Sequence, residues 1–176
     1  MKRIIMHWTG GSGKANSTDL DHYHEIAQGD GSRVMGRHKP EANLNPRSGR
    51  YAAHTRALNT GSIGLAMAAM RGAREVPFRP GSDPITPAQL DAFTDMVAEY
   101  CSTYGIKVTR RTVLTHAEVQ PTLGVWQRSK WDITWLPDMT RPADPVAVGD
   151  RLRAAVLTKM LPPPSIPQRV RIWAGR

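Results

Sequence analysis

The sequence predicts a single α/β domain in which a central mixed β-sheet is flanked by helices. Short, fully apolar runs are typical of buried strands, and a longer segment with apolar residues at helical spacing indicates a helix. An Asp-Gly pair between two short runs indicates an antiparallel hairpin. The 176 residues, 40% of them hydrophobic, fit one domain that is long enough to bury a core.

The strands and loops follow from these patterns. The predicted strands are residues 3–8, 23–27, 33–35, 62–67 and 113–114, with Asp30-Gly31 in the turn of the hairpin. Segments 37–50 and 71–84 are rich in polar residues, Gly and Pro and are predicted as loops, the second of them near a cleft. The Gly/Ser-rich segment 10–17 lacks the full phosphate-loop spacing, so we expect a flexible rim of that cleft.

One long helix is predicted over residues 87–104. Thr86 is the expected N-cap, Pro87 suits the first helical position, and Gln89 is expected to complete a capping box. Gly105 is expected to end the helix in a left-handed conformation. The apolar stripe consists of Leu90, Phe93, Met96, Val97, Tyr100 and Tyr104. Cys101 lies beside this stripe and is expected to be a small buried residue rather than a nucleophile.

The C-terminal segment 141–176 differs in character from the preceding chain. Asp144-Pro145 is expected to begin a second helix, which Pro162-Pro163-Pro164 ends, and the tail from Gln168 to Arg176 is basic. Seven Lys and Arg against two Asp give this segment a charge of +5, out of +9 for the chain. Two interpretations stay open: a helix packed on the core with a solvated tail, or an amphipathic basic element that binds an anionic envelope or membrane.

Composition limits the class of partner and the compartment. The excess of Lys and Arg (24) over Asp and Glu (15) predicts attraction to polyanions. The sequence contains no helix-turn-helix, zinc-finger or RRM motif, so we expect no nucleic-acid partner. A single cysteine excludes an internal disulfide. Lys2-Arg3 precedes only three apolar residues, which does not match a signal peptide, and we expect synthesis and folding in the cytoplasm.

Two histidines follow predicted buried strands. His7 follows Ile4-Ile5-Met6, and His116 follows Val113-Leu114-Thr115. Ligands in open α/β sheets lie just beyond the carboxyl ends of strands, so these histidines are candidates for one shared site. With Asp132 they would match a catalytic zinc site, and Lys130, two positions earlier, would face the same way in an extended segment. The alternatives are a hydrogen-bonded structural histidine and a surface Lys–Asp ion pair.

A set of short motifs occurs in order along the chain. They are Ile4-Ile5-Met6-His7-Trp8-Thr9, Tyr23-His24, Asp30-Gly31, Ala53-His54-Thr55 with Asn59, Ser62-Ile63-Gly64, Thr86-Pro87-Ala88-Gln89-Leu90, and His116 followed by Lys130-x-Asp132. The ordered set resembles the zinc-dependent N-acetylmuramoyl-L-alanine amidases, which include phage lysozyme-like endolysins and peptidoglycan recognition proteins. The resemblance covers about Ile4 to Pro137.

The resemblance implies a peptidoglycan hydrolase that cleaves the amide bond between N-acetylmuramic acid and L-alanine. It implies one zinc ion bound by His7, His116 and Asp132. Residues 1–140 would then form the catalytic domain, with 141–176 packed on it or appended to it. We expect a monomer that acts on the bacterial wall after release from the host cytoplasm.

The resemblance also implies roles for further residues. Lys130 would stabilise negative charge on the carbonyl oxygen. Some family members use a glutamate where this chain has Ala66, and others use the tyrosine of a Tyr-His pair. Tyr23 is therefore expected to orient the attacking water or to stabilise the tetrahedral intermediate. The alternative for Tyr23 is an aromatic residue packed at the sheet edge. His54 and Asn59 would be substrate-binding residues: His54 on the cleft wall would contact the substrate or its carbonyl oxygen, and Asn59 would hold that loop.

Other candidates stay open at this point. Glu118 suits a general base or an acceptor for a histidine N–H, although a solvated carboxylate at a helix start is favoured. Trp8, Trp126 and Trp131 suit either sugar stacking or the core. A catalytically silent wall-binding module is the alternative function, and the retention of all three candidate ligands and of the lysine argues against it.

Overall fold

A computed structural model describes residues 1–162 of the chain, and all structural statements refer to that range. Its strands are β1 (Arg3–Trp8), β2 (Glu25–Ala27), β3 (Arg33–Met35), β4 (Ser62–Met67) and β5 (Val113–Thr115). Its α-helices are α1 (Ser17–His22), α2 (Pro87–Tyr104), α3 (His116–Leu123) and α4 (Pro145–Lys159), and two short 3₁₀ helices span Pro40–Leu44 and Pro46–Ser48.

The five strands form one mixed sheet in the order β3-β2-β4-β1-β5. Strand β1 pairs in parallel with β4 and β5, β2 pairs in parallel with β4, and β3 is antiparallel to β2. The predicted single α/β domain with a central mixed sheet and flanking helices is therefore confirmed.

The two faces of the sheet bury different partners. Ile4, Met6 and Trp8 belong to the main core, which also contains the apolar sides of α2 and α4. Ile5 packs instead with Leu114 and Val119, on the face that α3 covers. Because alternate residues of a strand share a face, His7 lies on the face of Ile5, opposite the main core.

The caps of α2 agree with the prediction at two points and differ at a third. The Thr86 hydroxyl accepts a hydrogen bond from Gln89 N at 3.0 Å, and Gly105 ends the helix at a φ of 62°. The Gln89 side chain does not complete the capping box. It is buried and donates to the carbonyl oxygens of Ala27 and Ala68 at 2.8 and 2.9 Å. These carbonyls need a donor once buried, and Gln89 supplies it.

A helix start was expected at Glu118, but the extent of helix α3 was not predicted. Thr115 and Glu118 form a reciprocal capping box at its start, and Gly124 ends it in the left-handed region. Pro121 inside the helix is the reason that the segment resembles a loop, because proline has no N–H to donate and usually breaks a helix. His116, expected at the end of a strand, is the first residue of this helix.

Helix α4 contributes Val148, Leu152 and Val156 to the main core. It also buries the charged side chain of Arg153, which the apolar pattern did not predict. The proposed division at residue 140 stays a prediction. The tail from Gln168 to Arg176 lies outside the described residues. Across residues 1–162, none of the helices combines the length and apolarity that crossing a bilayer requires.

Candidate active site

The pairing of β1 with β5 brings His7 and His116 together. Met6 and Thr115 are partners in the parallel register, and each histidine is the next residue along its chain segment. Their ring centroids lie 4.7 Å apart, close enough for one ion to contact both rings. The loop after α3 is tied back to this point because Ala117 N donates to the Asp132 carbonyl at 2.6 Å.

Three candidate ligands converge. The Nδ1 atoms of His7 and His116 lie 3.0 and 3.2 Å from the same oxygen of Asp132, Oδ2. One ligand atom from each residue can be chosen so that all three lie within 4.8 Å of one another, and all three residues are buried. Ligand atoms of a tetrahedral zinc site with bonds of about 2 Å lie about 3.3 Å apart, so the arrangement suits zinc. The donor set, two imidazoles and one carboxylate, is also one that catalytic zinc sites use.

Electrostatics keep the carboxylate ionised. Burial opposes its charge, but the two neighbouring histidines outweigh burial and lower the pKa of Asp132 to about 2. Burial lowers the pKa of His7 to about 4, against the opposing hydrogen bond to Asp132. Burial also opposes the charge of His116, yet the Asp132 carboxylate raises the pKa of that ring. Asp132 is therefore a buried anion that the two histidine rings stabilise and that a bound cation would also neutralise.

The loop with His54 supports the far side of the His7 ring. His7 Nε2 lies 3.3 Å from both His54 Nδ1 and the Thr55 hydroxyl. Asn59 Oδ1 accepts from the backbone N–H groups of His54 and Thr55 at 3.1 and 2.9 Å, which holds the loop as the resemblance implied. The His54 ring lies directly over Gly64, where any Cβ would overlap it.

Tyr23 and Lys130 line the same cavity as His116 and Asp132, whereas His7 is completely buried. The Tyr23 ring centroid lies 5.2 Å from that of His7. Burial, reinforced by the charge of Asp132, raises the pKa of Tyr23, so its hydroxyl keeps its proton at neutral pH. Tyr23 lies in the link between α1 and β2 rather than within a strand. Lys130 is exposed on the cavity rim.

Glu118 does not serve this site. It is completely buried, and its carboxylate binds Arg153 and the Thr115 N–H. The favoured prediction of a solvated carboxylate is wrong, because α4 covers the start of α3 and supplies a cation. Ala66 is the partner of His7 on β4, so the strand that carries a glutamate in some relatives presents a methyl group here.

The cavity has a volume of about 770 Å³, opens to solvent, and is lined by two of the candidate ligands, His116 and Asp132. Trp8, only 7% exposed, packs edge-to-face on Trp131 at 4.8 Å, so these two indoles form one wall. Trp126 is 57% exposed, and the guanidinium groups of Arg56 and Arg128 lie 5.1 and 5.7 Å from its ring centroid. Both arginines also line the cavity, so its rim is cationic.

Sequence reasoning missed several residues of the site. Gln127 contacts His116, Thr55 contacts His7, and Arg56 and Arg128 flank Trp126. Thr55 lies in the Ala53-His54-Thr55 motif, but no role was expected for its hydroxyl. No local pattern singles out Gln127 in the segment from Gly124 to Lys130, because its importance depends on which ring it meets.

The chain belongs to the N-acetylmuramoyl-L-alanine amidase family, whose sequence model matches residues 1–135. The family that the motifs resembled is thus confirmed. No curated protein sequence matches the chain significantly.

Solved structures of amidases and peptidoglycan recognition proteins are similar to this chain at low identity. The N-acetylmuramoyl-L-alanine amidase LysC from Clostridium intestinale is 16% identical, with a TM-score of 0.45 over 69% of this chain and 73% of that chain. AmiD from E. coli, in complex with anhydro-N-acetylmuramic acid-L-Ala-D-γ-Glu-L-Lys, is 22% identical, with a TM-score of 0.48 over 66% and 48%. Bumblebee PGRP-SA is 16% identical, with a TM-score of 0.45 over 78% and 84%.

Proposed function

We propose that the chain is a zinc-dependent peptidoglycan amidase of the endolysin type that cleaves the bond between N-acetylmuramic acid and L-alanine. The observation that carries this proposal is the convergence of two imidazole nitrogens on one Asp132 oxygen at the floor of an open cavity. The family supports it, since the matching sequence model is that of amidases with this activity.

His7, His116 and Asp132 would hold the zinc ion. When bound, zinc supplies Lewis-acid activation of water and of the amide carbonyl, which an unreactive amide needs. The chain's own residues hold this site in shape. The buried sheet fixes the two histidines at adjacent strand ends, and the hydrogen bond from Ala117 N fixes the loop that carries Asp132.

Lys130 and Tyr23 are proposed to act on the substrate. Negative charge develops on the amide carbonyl oxygen as its π bond breaks, and the exposed ammonium of Lys130 on the cavity rim would stabilise it. The Tyr23 hydroxyl, which stays protonated because burial raises its pKa, is available to donate a hydrogen bond to the same oxygen or to orient the water.

The cavity suits a muropeptide. Peptide stems carry carboxylates, and the cationic rim of Arg56, Arg128 and Lys130 would attract them. His54 and the indole of Trp131 would contact the substrate along the walls of the same cavity. We also propose that the protein acts as a monomer and reaches the wall after release from the cytoplasm.

The experiment combines metal analysis of the purified chain with mass spectrometry of digested peptidoglycan. We expect one zinc ion per chain and the release of peptides with a free N-terminal L-alanine. Cleavage between the sugars, or intact peptidoglycan with a fully zinc-loaded protein, would contradict the amidase proposal. In the second case the silent wall-binding module would be the better description, and peptidoglycan pull-down would reveal it.

A further inference from the structure

Gln127 lies buried against the outer nitrogen of His116. It is 3% exposed, and its Oε1 lies 2.9 Å from His116 Nε2, the ring nitrogen that faces away from Asp132. Its backbone N–H donates to Gln120 Oε1 at 3.1 Å, which ties the loop to α3. The amide is therefore held in place at both its backbone and its side chain.

The orientation of the Gln127 amide follows from its neighbours. Its Nε2 lies 3.0 Å from the Arg56 carbonyl oxygen and 3.3 Å from the Val125 carbonyl oxygen. Carbonyl oxygens only accept hydrogen bonds, so the NH₂ group must face them. A flipped amide would set its oxygen against both carbonyls and its NH₂ against the ring. The amide oxygen consequently faces His116 as an acceptor.

An acceptor at this position decides the tautomer of His116. The ring nitrogen Nε2 must carry the proton, because only an N–H donates to Gln127 Oε1. The other nitrogen, Nδ1, lies 3.2 Å from the acceptor Asp132 Oδ2, so a metal that replaces the proton shared there meets the Nδ1 lone pair while Nε2 keeps its own proton. Metal binding requires that lone pair, and partners of the other nitrogen commonly set the tautomer of a ligating histidine.

From these contacts we infer that Gln127 is a positioning residue, which holds His116 in the tautomer that presents Nδ1 to a metal. The inference rests on the proposed zinc centre. His7 lacks an equivalent anchor: its Nε2 faces the Thr55 hydroxyl and the His54 ring, groups that donate or accept equally well. The control exerted by Gln127 is therefore specific to one of the two histidines.

The experiment measures zinc affinity of the full-length chain by competition with a chelator, together with the tautomer of His116 by imidazole ¹⁵N–¹H spectroscopy. Gln127→Met keeps the length of the side chain and removes the acceptor. It is expected to raise the zinc dissociation constant about 10- to 100-fold, the usual effect of losing such a partner. With zinc bound, the unaltered chain should show an Nε2–H signal of His116 that its hydrogen bond protects from exchange with water, and Gln127→Met should lose that protection.

Gln127→Glu keeps an acceptor for His116 but sets its second oxygen against the Arg56 and Val125 carbonyls, so its melting temperature is measured together with its zinc affinity to separate the contact with His116 from loop support. Zinc affinity and the Nε2–H tautomer are expected to survive in this variant, which also decides the matter if Gln127→Met fails to fold. Gln28→Met is the matched control, since the Gln28 side chain bonds Ser32 and Ala15 instead of a ring of the site.

Unchanged affinity in Gln127→Met, weakened affinity with an Nε2–H signal as protected as before, or loss of both properties in a Gln127→Glu variant that melts like the unaltered chain would each overturn the inference. Failure of the unaltered chain to bind zinc is a different result. It would reject the proposed zinc centre itself, and with it any role of Gln127 toward a metal.

Discussion

Replacing Arg153 with methionine is expected to destabilise the entire domain, although Arg153 lies beyond the segment 1–135 that the family model matches. Its guanidinium is buried, 2.8 Å from Glu118 Oε1 and 3.1 Å from Oε2, and it also donates to the Val113 carbonyl at 2.8 Å. Arg153→Met leaves the completely buried Glu118 carboxylate without its cation.

The size of the effect follows from the burial of both partners. Removing one member of a buried ion pair costs about 3–5 kcal/mol, because the other charge stays buried and uncompensated. Total stabilities of domains are about 5–15 kcal/mol, so this is a large fraction. At about 2–4 °C per kcal/mol for a domain of this size, the melting temperature should fall by about 6–20 °C.

The assay is urea unfolding followed by circular dichroism, arranged as a double-mutant cycle with Glu118→Gln. The double variant should lose less stability than the sum of the two single variants, because neither charge is then buried alone. Arg151→Met is the matched control on the same helix. Arg151 pairs with Asp138 at the surface, and its loss should cost at most about 1 kcal/mol. An equally small loss for Arg153→Met would refute the reasoning.

Three further predictions concern the site, α4 and the tail. Asp132→Ala should abolish zinc retention in metal analysis. Lys130→Ala should keep zinc but lower the turnover rate by about 10²- to 10³-fold. Loss of zinc in Lys130→Ala would instead show that the lysine has a structural role. Gly149→Ala should lower the melting temperature although alanine favours helices, because the new Cβ would overlap the Glu118 carboxylate. A higher melting temperature would contradict this packing. Deletion from Pro162 onward should slow lysis of intact cells at low salt, whereas the rate of hydrolysis of a soluble muropeptide should stay the same. Equal lysis by the truncated and the full-length chain would reject a targeting role of the tail.

The sequence by itself determined the main elements and the family. Strands β1 and β4 each contain a short apolar run, and α2 combines a regular apolar stripe with a recognisable cap and a terminal glycine. These signals are local, since burial on a strand or a helix face repeats with a short period along the chain. His7 and His116 became candidates for one site by the same reasoning, because each comes just after the apolar run of a strand.

Only the tertiary structure decided which partners the polar residues meet. Gln89 was expected to bond its own helix and instead satisfies two strand carbonyls. Glu118 was expected in solvent and is instead buried against Arg153, a residue 35 positions away. Gln127 carried no signal until the fold placed it on the His116 ring. The physical reason is common to all three: periodicity records whether a side chain is buried, whereas its hydrogen-bond partner depends on chain segments that only folding brings within 3 Å.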